Sequence, residues 1–298
     1  MANIDYKALA VLDAVATHGS FEKAAGALGI TQSAVSQRIK ALEDASGRLL
    51  IVRGVPCVPT GLGQRLISHH RNVRLMEAAL DIDLGNRVSM PEISIAVDAA
   101  SLATWFPLAL GPLLSPPRCQ LDVRLAERAQ ALHMVQEGSV SGAVAARSEY
   151  DGHAPSGPVT TALGAMRYVC VATPVFAGHW FGDGFSAEAA QLAPAVVWER
   201  AAMARFLADT VNVHGPFPHH TLPLSPALYE CIYGSLAYGL LPLMHIASAL
   251  DNGRLVDLAP GSYLDVPLEW HAWELDTPFT KALSEQVISS AKRYLLQP

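Results

Sequence analysis

The stretch GSFEKAAGALGITQSAVSQRIKALEDASG, residues 19–47, decides the fold of the N-terminal part of the chain. It holds two short amphipathic segments. Each is preceded by a hydroxyl residue that can cap a helix, Ser20 or Thr31, and followed by a glycine that can end one. In the second segment Val35 and Ile39 recur at helical spacing and predict a buried stripe. Two short helices joined by a glycine-containing turn are typical of a helix-turn-helix motif, although an ordinary helical hairpin fits the same periodicity.

The polar face of the second segment predicts contact with DNA. Its side chains are short or carry amides, so they can exchange hydrogen bonds with base edges in the major groove. The following segment, RLLIVRGVPCVPT (48–60), predicts a two-stranded wing that carries Arg53 to the DNA backbone, with a solvated surface turn as the alternative. The candidate DNA-contacting residues are Ser20, Thr31, Gln32, Ser33, Ser36, Gln37, Arg38, Lys40, Arg53 and Thr60.

A long helix is predicted after Thr60, from about 61 to 84. Apolar residues fill five of its seven heptad seam positions, and His69 and Asp83 are the exceptions. This pattern is typical of a two-helix coiled coil, while an amphipathic helix packed on its own chain is the alternative. The predicted dimerisation residues are Leu62, Leu66, Val73, Met76 and Leu80.

The charge is unevenly distributed along the 298 residues, a length that suggests about two folding units. The formal net charge is −6, which argues against a protein that coats nucleic acid. Residues 1–65, however, carry seven basic and five acidic side chains, or +2, and the remainder carries −8. This asymmetry favours a local nucleic-acid contact made by the N-terminal part.

Composition indicates a folded protein of a reducing compartment. Hydrophobic residues make up 51% of the chain and charged residues 16%, so a large core can form and disorder is not expected. The four cysteines lie far apart without a CxxC motif, which argues against a disulfide scaffold and predicts a cytoplasmic location. The first residues lack the basic segment of a targeting signal, so none is expected.

From Glu92 onward, predicted strands and helices alternate, which favours a parallel α/β architecture. Ligands in such sheets bind at the carboxyl ends of strands. The first such junction contains Ser101, which is either a plain helix cap or part of a site for an anionic group. Glu127 and Arg128 follow the second strand and are either ligand contacts or a surface ion pair worth under about 1 kcal/mol.

Motifs of enzymes and metal sites are weak in this sequence. The GSVSG run at 138–142 lacks the central serine of a nucleophile elbow. The adjacent histidine pairs at 69–70 and 219–220 lack an HExxH pattern or a cysteine partner. We therefore expect no catalytic residue, no metal ligand and no cofactor.

Residues 19–66 resemble the N-terminal domain of the LysR-type transcriptional regulators. The marks are FxxAAxxLxITQSAVSxxIxxLE, followed by a PTxxGQ segment. Further along, AASLATW, LGAMRYVCVATPVF, SLAYGLLP and LEWHAW are similar to the ArgP/LysG branch of that family, whose members respond to lysine and arginine. The resemblance therefore covers the whole chain.

The resemblance implies an α/β protein with three parts. These are a winged helix-turn-helix domain at 1–59, a linker and dimerisation helix at 60–88, and an effector-binding domain at 89–298. The last part would have two Rossmann-like lobes of the periplasmic-binding-protein type. Lobe I would comprise 89–162 and 267–298, and lobe II 163–266.

The implied function is sequence-specific DNA binding by a homodimer or homotetramer under the control of a small-molecule effector. Lysine or arginine is the first expectation for that effector, and genes of amino-acid export or metabolism are the expected targets. Promoter DNA, the effector and a second copy are the implied partners, with RNA polymerase as a further candidate and no membrane. The implied location is the cytoplasm, associated with the nucleoid. The alternative is a sensor of another metabolite with little DNA function of its own.

The resemblance also implies roles for effector-contacting residues. Glu127 would bind the effector's amine, while Ser101 and Thr104 would lie near its carboxylate. Arg128 departs from the paired acids common in the branch and favours a neutral or acidic effector, or a different orientation. The candidate effector-contacting residues are Asp98, Ser101, Thr104, Trp105, Glu127, Arg128 and Ser225.

Overall fold

The computed structural model of the protein describes residues 5–84, 90–115, 119–147, 158–273 and 277–297. Its N-terminal part is a winged helix-turn-helix, which confirms that prediction. Three helices precede a two-stranded antiparallel wing and a long fourth helix. These elements are α1 (Tyr6–His18), α2 (Phe21–Leu28), α3 (Gln32–Ser46), β1 (Ile51–Val52), β2 (Val58–Pro59) and α4 (Gly61–Asp83).

Local capping fixes the ends of the N-terminal helices. The Ser20 and Thr31 hydroxyls each accept a hydrogen bond from a backbone N–H in the first turn of the following helix. Gly29, at φ +64°, ends α2 in the left-handed conformation that a glycine adopts without steric cost. Val35 and Ile39 of α3 are buried in a core formed with α1, α2 and the wing. The capping and core residues that predict these helices therefore also stabilise them and their packing.

The body alternates strands and helices. Its elements in chain order are β3 (Glu92–Val97), α5 (Ala99–Ala103), α6 (Phe106–Leu114), β4 (Gln120–Leu125), α7 (Arg128–Gln136), β5 (Gly142–Ala146), β6 (Val159–Ala172), α8 (Pro174–Trp180), α9 (Ala187–Ala190), β7 (Ala195–Val197), α10 (Arg200–Val211), β8 (His219–Thr221), α11 (Pro226–Tyr233), β9 (Gly239–Pro242), α12 (Leu243–Asp251), β10 (Val256–Asp257), β11 (Leu264–Ala272) and α13 (Pro278–Tyr294).

Two long strands, β6 and β11, join the two halves of the body. The sheet runs in the order β10-β6-β11-β5-β3-β4, with β9 also paired to β6, and β7 pairs with β8 in a separate parallel pair. β3 is parallel to β4 and β5, whereas β11 runs antiparallel to the first ten residues of β6, Val159 to Tyr168. The pairing register shifts between Leu268 and Glu269, near the middle of β11. The predicted lobe boundaries at 162/163 and 266/267 fall inside these two strands.

The linker helix α4 belongs to two cores. Ile67 packs among residues of the winged helix, whereas Leu75, Ala78 and Ala79 pack among residues of β3, α6 and α13 in the body. A single helix thus connects the DNA-binding part with lobe I. The predicted boundary between linker and effector domain, at 88/89, lies outside the described residues.

Two short helices, α5 and α6, follow the first strand of the body. The segment SLATWFPLALGPLL (101–114) is divided between α5 and α6 at Thr104 and Trp105. Pro107 lies in the first turn of α6, where its missing N–H has no intrahelical acceptor to lose. No helix in the described part of the chain is long and apolar enough to cross a membrane.

Candidate functional site

The exposed face of α3 carries most of the predicted DNA contacts. Val35 and Ile39 turn into the core, so the opposite face of the helix lies open to solvent. The exposed or half-exposed residues on it are Gln32, Ser33, Ser36, Gln37, Arg38 and Lys40. This geometry suits a recognition helix, whose buried stripe fixes its position while polar side chains reach base edges.

Three further predicted DNA contacts share one structural role. Ser20, Thr31 and Thr60 each stand at the N-terminus of a helix with the hydroxyl used as a cap. The Thr60 hydroxyl also donates to the carbonyl of Leu49 at 2.9 Å, which ties the wing to α4. Helix N-termini favour phosphate groups through exposed N–H groups and the helix dipole. Arg53 is exposed in the wing, 5.5 Å from the ring centre of Phe21.

In the body, the loop after β3 is organised by Asp98. Its Oδ1 accepts a hydrogen bond from the Ser101 N–H at 2.9 Å, so Asp98 and not Ser101 is the N-cap of α5. Ser101 is the third residue of that helix and is fully buried. The interpretation of Ser101 as a helix cap is therefore wrong, because a carboxylate three positions earlier occupies the helix end.

Because Asp98 occupies the start of α5, the loop favours a positively charged ligand group over a negatively charged one. An anionic ligand at the start of α5 would meet the Asp98 carboxylate that already takes the Ser101 N–H. The Oδ2 of Asp98 and the hydroxyl of Ser101 are both buried and lack a hydrogen-bond partner among the described residues. Burial raises the pKa of the Asp98 carboxyl more than the adjacent Ser101 hydroxyl and the backbone N–H groups at the start of α5 lower it. A buried acceptor in need of a donor fits an ammonium group better than a carboxylate.

The other residues predicted in lobe I lie in different surroundings. The Thr104 hydroxyl donates to the Ala100 carbonyl at 2.6 Å, and Trp105 is fully buried with its ring edge-to-face against Phe106. Glu127 is exposed at the cap position of α7 and makes no capping hydrogen bond. Arg128 donates from Nε to the carbonyl of Ala146 at 2.7 Å, which places it beside the end of β5.

Lobe II contributes a second acid and an aromatic wall. Trp198 follows β7 and stacks on Tyr168 of β6, with the ring centres 4.6 Å apart. Burial raises the pKa of Tyr168, and nearby Asp98, Tyr229 and Glu199 raise it further. Tyr168 therefore lies within the electrostatic reach of a carboxylate from each lobe.

Tyr229 and Ser225 belong to helix α11 of lobe II and to its cap. Burial raises the pKa of Tyr229 to about 12, so its hydroxyl stays protonated, and that hydroxyl has no hydrogen-bond partner among the described residues. Ser225 is half-buried at the cap position of α11, one turn before Tyr229. Lobe II therefore offers a buried hydroxyl donor within electrostatic reach of Tyr168.

Sequence reasoning missed Tyr168, Trp198, Glu199 and Tyr229. Trp198 and Glu199 directly follow the strand β7 in the segment VVWER. The rule that ligands lie at the carboxyl ends of strands, applied to that segment, would have found both. Tyr168 gives no such signal, because it lies within a long apolar strand and only the pairing of β6 across both lobes places it at the cleft.

Comparison with known proteins gives a consistent result over the whole length. Residues 6–64 match the family described as "Bacterial regulatory helix-turn-helix protein, lysR family", and residues 87–291 match "LysR substrate binding domain". The chain is 39% identical to the HTH-type transcriptional regulator ArgP of Pseudomonas aeruginosa, with 98% of this chain and 97% of the relative covered.

Solved structures agree. The crystal structure of ArgP from Mycobacterium tuberculosis matches with a TM-score of 0.83 at 33% identity, and 99% of each chain is covered. Full-length LysG from Corynebacterium glutamicum with bound effector Arg matches with a TM-score of 0.74 at 29% identity, covering 99% of this chain and 100% of that one. With both family models matched and relatives this similar from end to end, the chain belongs to the LysR family of bacterial helix-turn-helix transcription regulators.

Proposed function

We propose that this regulator binds promoter DNA as a homodimer or homotetramer and that a basic amino acid, lysine or arginine, controls it from the cleft between the lobes. The observation that carries the effector part is the buried, unpartnered Oδ2 of Asp98 near Tyr168, a residue whose pKa Glu199 of lobe II also raises. The family is one of transcription regulators and not of enzymes, so binding alone has to perform the function.

The chemistry of the cleft favours a ligand with two positive charges. Lysine and arginine each carry an α-ammonium group and a cationic side chain, and the cleft has one carboxylate on each lobe. Asp98 binds the α-ammonium group, and Glu199 binds the side-chain cation beside the Tyr168 and Trp198 rings, which add a cation–π attraction. The Tyr229 hydroxyl is a donor available to the carboxylate. This assignment reverses the orientation expected from the sequence, in which Glu127 bound the amine.

The relatives support the same class of effector. Several of them are named ArgP, and the LysG structure contains bound Arg. Occupancy of the cleft would favour one arrangement of the lobes and thereby change how two recognition helices fit their half-sites. Export or metabolism of basic amino acids is the response that such a sensor would control.

The proposal of DNA binding rests on the exposed polar face of α3 and on the net positive charge of residues 1–65. A dimer doubles a modest set of phosphate contacts, while base readout supplies the specificity. The protein would act in the cytoplasm, associated with the nucleoid, with RNA polymerase as a further partner at promoters.

Two measurements test this function. A gel-shift assay with the intergenic DNA upstream of the protein's own gene should show a specific complex that random DNA of equal length does not compete away. Titration calorimetry should show binding of L-lysine or L-arginine but not of L-glutamate. Addition of the bound amino acid to the gel-shift assay should change the affinity of the protein for the specific DNA. Amino-acid binding without any specific DNA complex would contradict the regulatory part, and a specific complex indifferent to both amino acids would contradict the effector part.

A further inference from the structure

A side-chain hydrogen bond joins the linker helix α4 to lobe I. The Ser68 hydroxyl lies 3.0 Å from the carbonyl oxygen of Glu137 in lobe I and 2.9 Å from that of Gln64, one turn earlier in α4. Ser68 is only 6% exposed, so water does not easily take the place of either acceptor. A hydroxyl carries one proton and therefore donates fully to only one of the two carbonyls at a time.

The turn at the end of α7 is shaped to fit against Ser68. Gly138 has φ +69°, and the N–H groups of Gly138 and Ser139 close the helix end on carbonyls at 2.9 Å. A Cβ added at Gly138 would stand 2.8 Å from the Cβ of Ser68. Both the backbone conformation and the close approach therefore require glycine at this position.

The opposite end of α7 lies at the crossing between the lobes. Arg128, the first residue of α7, donates to the carbonyl of Ala146 at 2.7 Å. Ala146 pairs with Leu268 of β11, and the next N–H, that of Arg147, donates to Pro267 at 2.8 Å. A helix of nine residues is about 13 Å long. α7 therefore extends from the crossing strand to the linker helix.

The linker helix is in turn locked to the DNA-binding part. Arg71 of α4 binds Asp13 of α1 through Nε at 3.0 Å and Nη2 at 2.7 Å, and His70 approaches the same carboxylate at 3.3 Å. Burial alone would raise the pKa of Asp13, but the hydrogen bonds from His70 and Arg71 hold it below its ordinary value. The bridge therefore stays charged at neutral pH, and a displacement of α4 would carry α1 with it.

We propose that α7 transmits closure of the lobes to the linker helix, with the Ser68 hydroxyl as the switch at the contact. When β11 and the end of β5 move, Arg128 moves with them and α7 draws the Glu137 carbonyl away from α4. Ser68 then donates to Gln64, so no buried donor is left without an acceptor and the change costs little. Ser68 and Gly138 are positioning residues in this scheme. The inference relies on the proposed function only for the ligand that closes the lobes.

The test compares Ser68→Ala with Ser289→Ala in the full-length protein. The control also removes a serine hydroxyl that donates to its own helix, at an exposed site on α13. DNA affinity is measured by fluorescence anisotropy with and without L-arginine, and L-arginine affinity by calorimetry. Ser68→Ala lacks the bond to Glu137 with or without ligand, so we expect its ligand-free DNA affinity to approach that of arginine-bound wild type while its L-arginine affinity stays within about twofold. It should lose most of the arginine-induced change in DNA affinity, which in allosteric proteins is about 5- to 150-fold.

An arginine response equal to that of wild type in Ser68→Ala would overturn the inference, and a lost response in Ser289→Ala would do so as well. A wild type that binds neither lysine nor arginine would refute the proposed effector but not the proposed role of α7. In that case a double-mutant cycle on DNA affinity decides, without any ligand. Arg128→Ala should change the DNA affinity of wild type but should cause no further change in a protein that already carries Ser68→Ala. If the effects of the two substitutions on DNA affinity were additive, the inference would be overturned.

Discussion

Gln32 and Ser36 lie on the open face of α3, where alanine is tolerated by the helix but can make no hydrogen bond to a base. We expect Gln32→Ala or Ser36→Ala to reduce the preference for the specific site over random DNA by about 1–3 kcal/mol, with random binding little changed. Anisotropy with specific and scrambled duplexes at one salt concentration measures both. Gln191→Ala, at an exposed site in lobe II, is the matched control. Unchanged discrimination in both α3 variants would remove these residues from base readout.

Asp98 lowers the stability of the ligand-free protein at neutral pH. Burial raises the pKa of its carboxyl above the ordinary 3.8, so folding disfavours the ionised form. Its favourable contribution is complete below the ordinary pKa and is lost as the pH rises through the raised, folded-state pKa. Asparagine keeps the Oδ1 cap on Ser101 and removes the charge.

Asp98→Asn is therefore expected to raise Tm at pH 7 and to weaken L-arginine binding tenfold or more, about 1.4 kcal/mol. Calorimetric melting at several pH values should show the gain in Tm shrinking as the pH is lowered toward the raised pKa. A Tm equal to that of wild type at pH 7 would contradict the buried charge. An unchanged affinity for L-arginine would exclude Asp98 from the site.

Helix α4 has two apolar faces with different surroundings. One packs inside the chain and includes Leu62 and Leu66 of the predicted seam, which are half-buried against the winged-helix core. Further along the same seam, Met76 is 48% and Leu80 58% exposed. Burying such a side chain contributes about 1.5–3 kcal/mol, and a twofold interface buries it twice. We expect Leu80→Glu to dissociate the oligomer at micromolar concentration, as measured by sedimentation velocity, without lowering the helix content. Glu77→Gln, at an exposed site on the same helix three residues before Leu80, should remain associated. A Leu80→Glu variant that sediments like wild type would exclude this seam.

The elements of the DNA-binding part could be predicted from sequence because their ends are fixed locally. Ser20, Thr31 and Gly29 cap helices within a few residues of themselves. The cleft could be predicted only in part. The β3–α5 loop follows the rule for strand ends, but whether Asp98 or Ser101 caps α5 depends on backbone conformation that the pattern does not encode. Residues such as Tyr168 come to the cleft through long-range strand pairing alone.

The molecule as a whole separates its charges by task. The part that would contact DNA carries the formal +2, and the body carries −8. An acidic body limits indiscriminate attraction to DNA, so affinity would come from the paired recognition helices. The same acidity suits a body whose cleft binds a cation. One distribution of charge therefore serves both selectivity for operator DNA and attraction of a basic effector.

The assignment of one acid to each lobe predicts how the whole body responds to ligands of different charge. L-norleucine lacks the side-chain ammonium of lysine, so it would engage Asp98 but not draw Glu199 across the cleft. A ligand at about 100 times its Kd stabilises the folded state by about 2.7 kcal/mol, so equal concentrations rank the ligands by affinity. We expect L-lysine to raise Tm well above the value with L-norleucine in wild type, and Glu199→Gln to make the two ligands equivalent. X-ray scattering should show contraction only with L-lysine and only in wild type. If Glu199→Gln still distinguished lysine from norleucine as strongly as wild type does, the second acid would have to lie elsewhere, and closure by a dication held between Asp98 and Glu199 would be refuted.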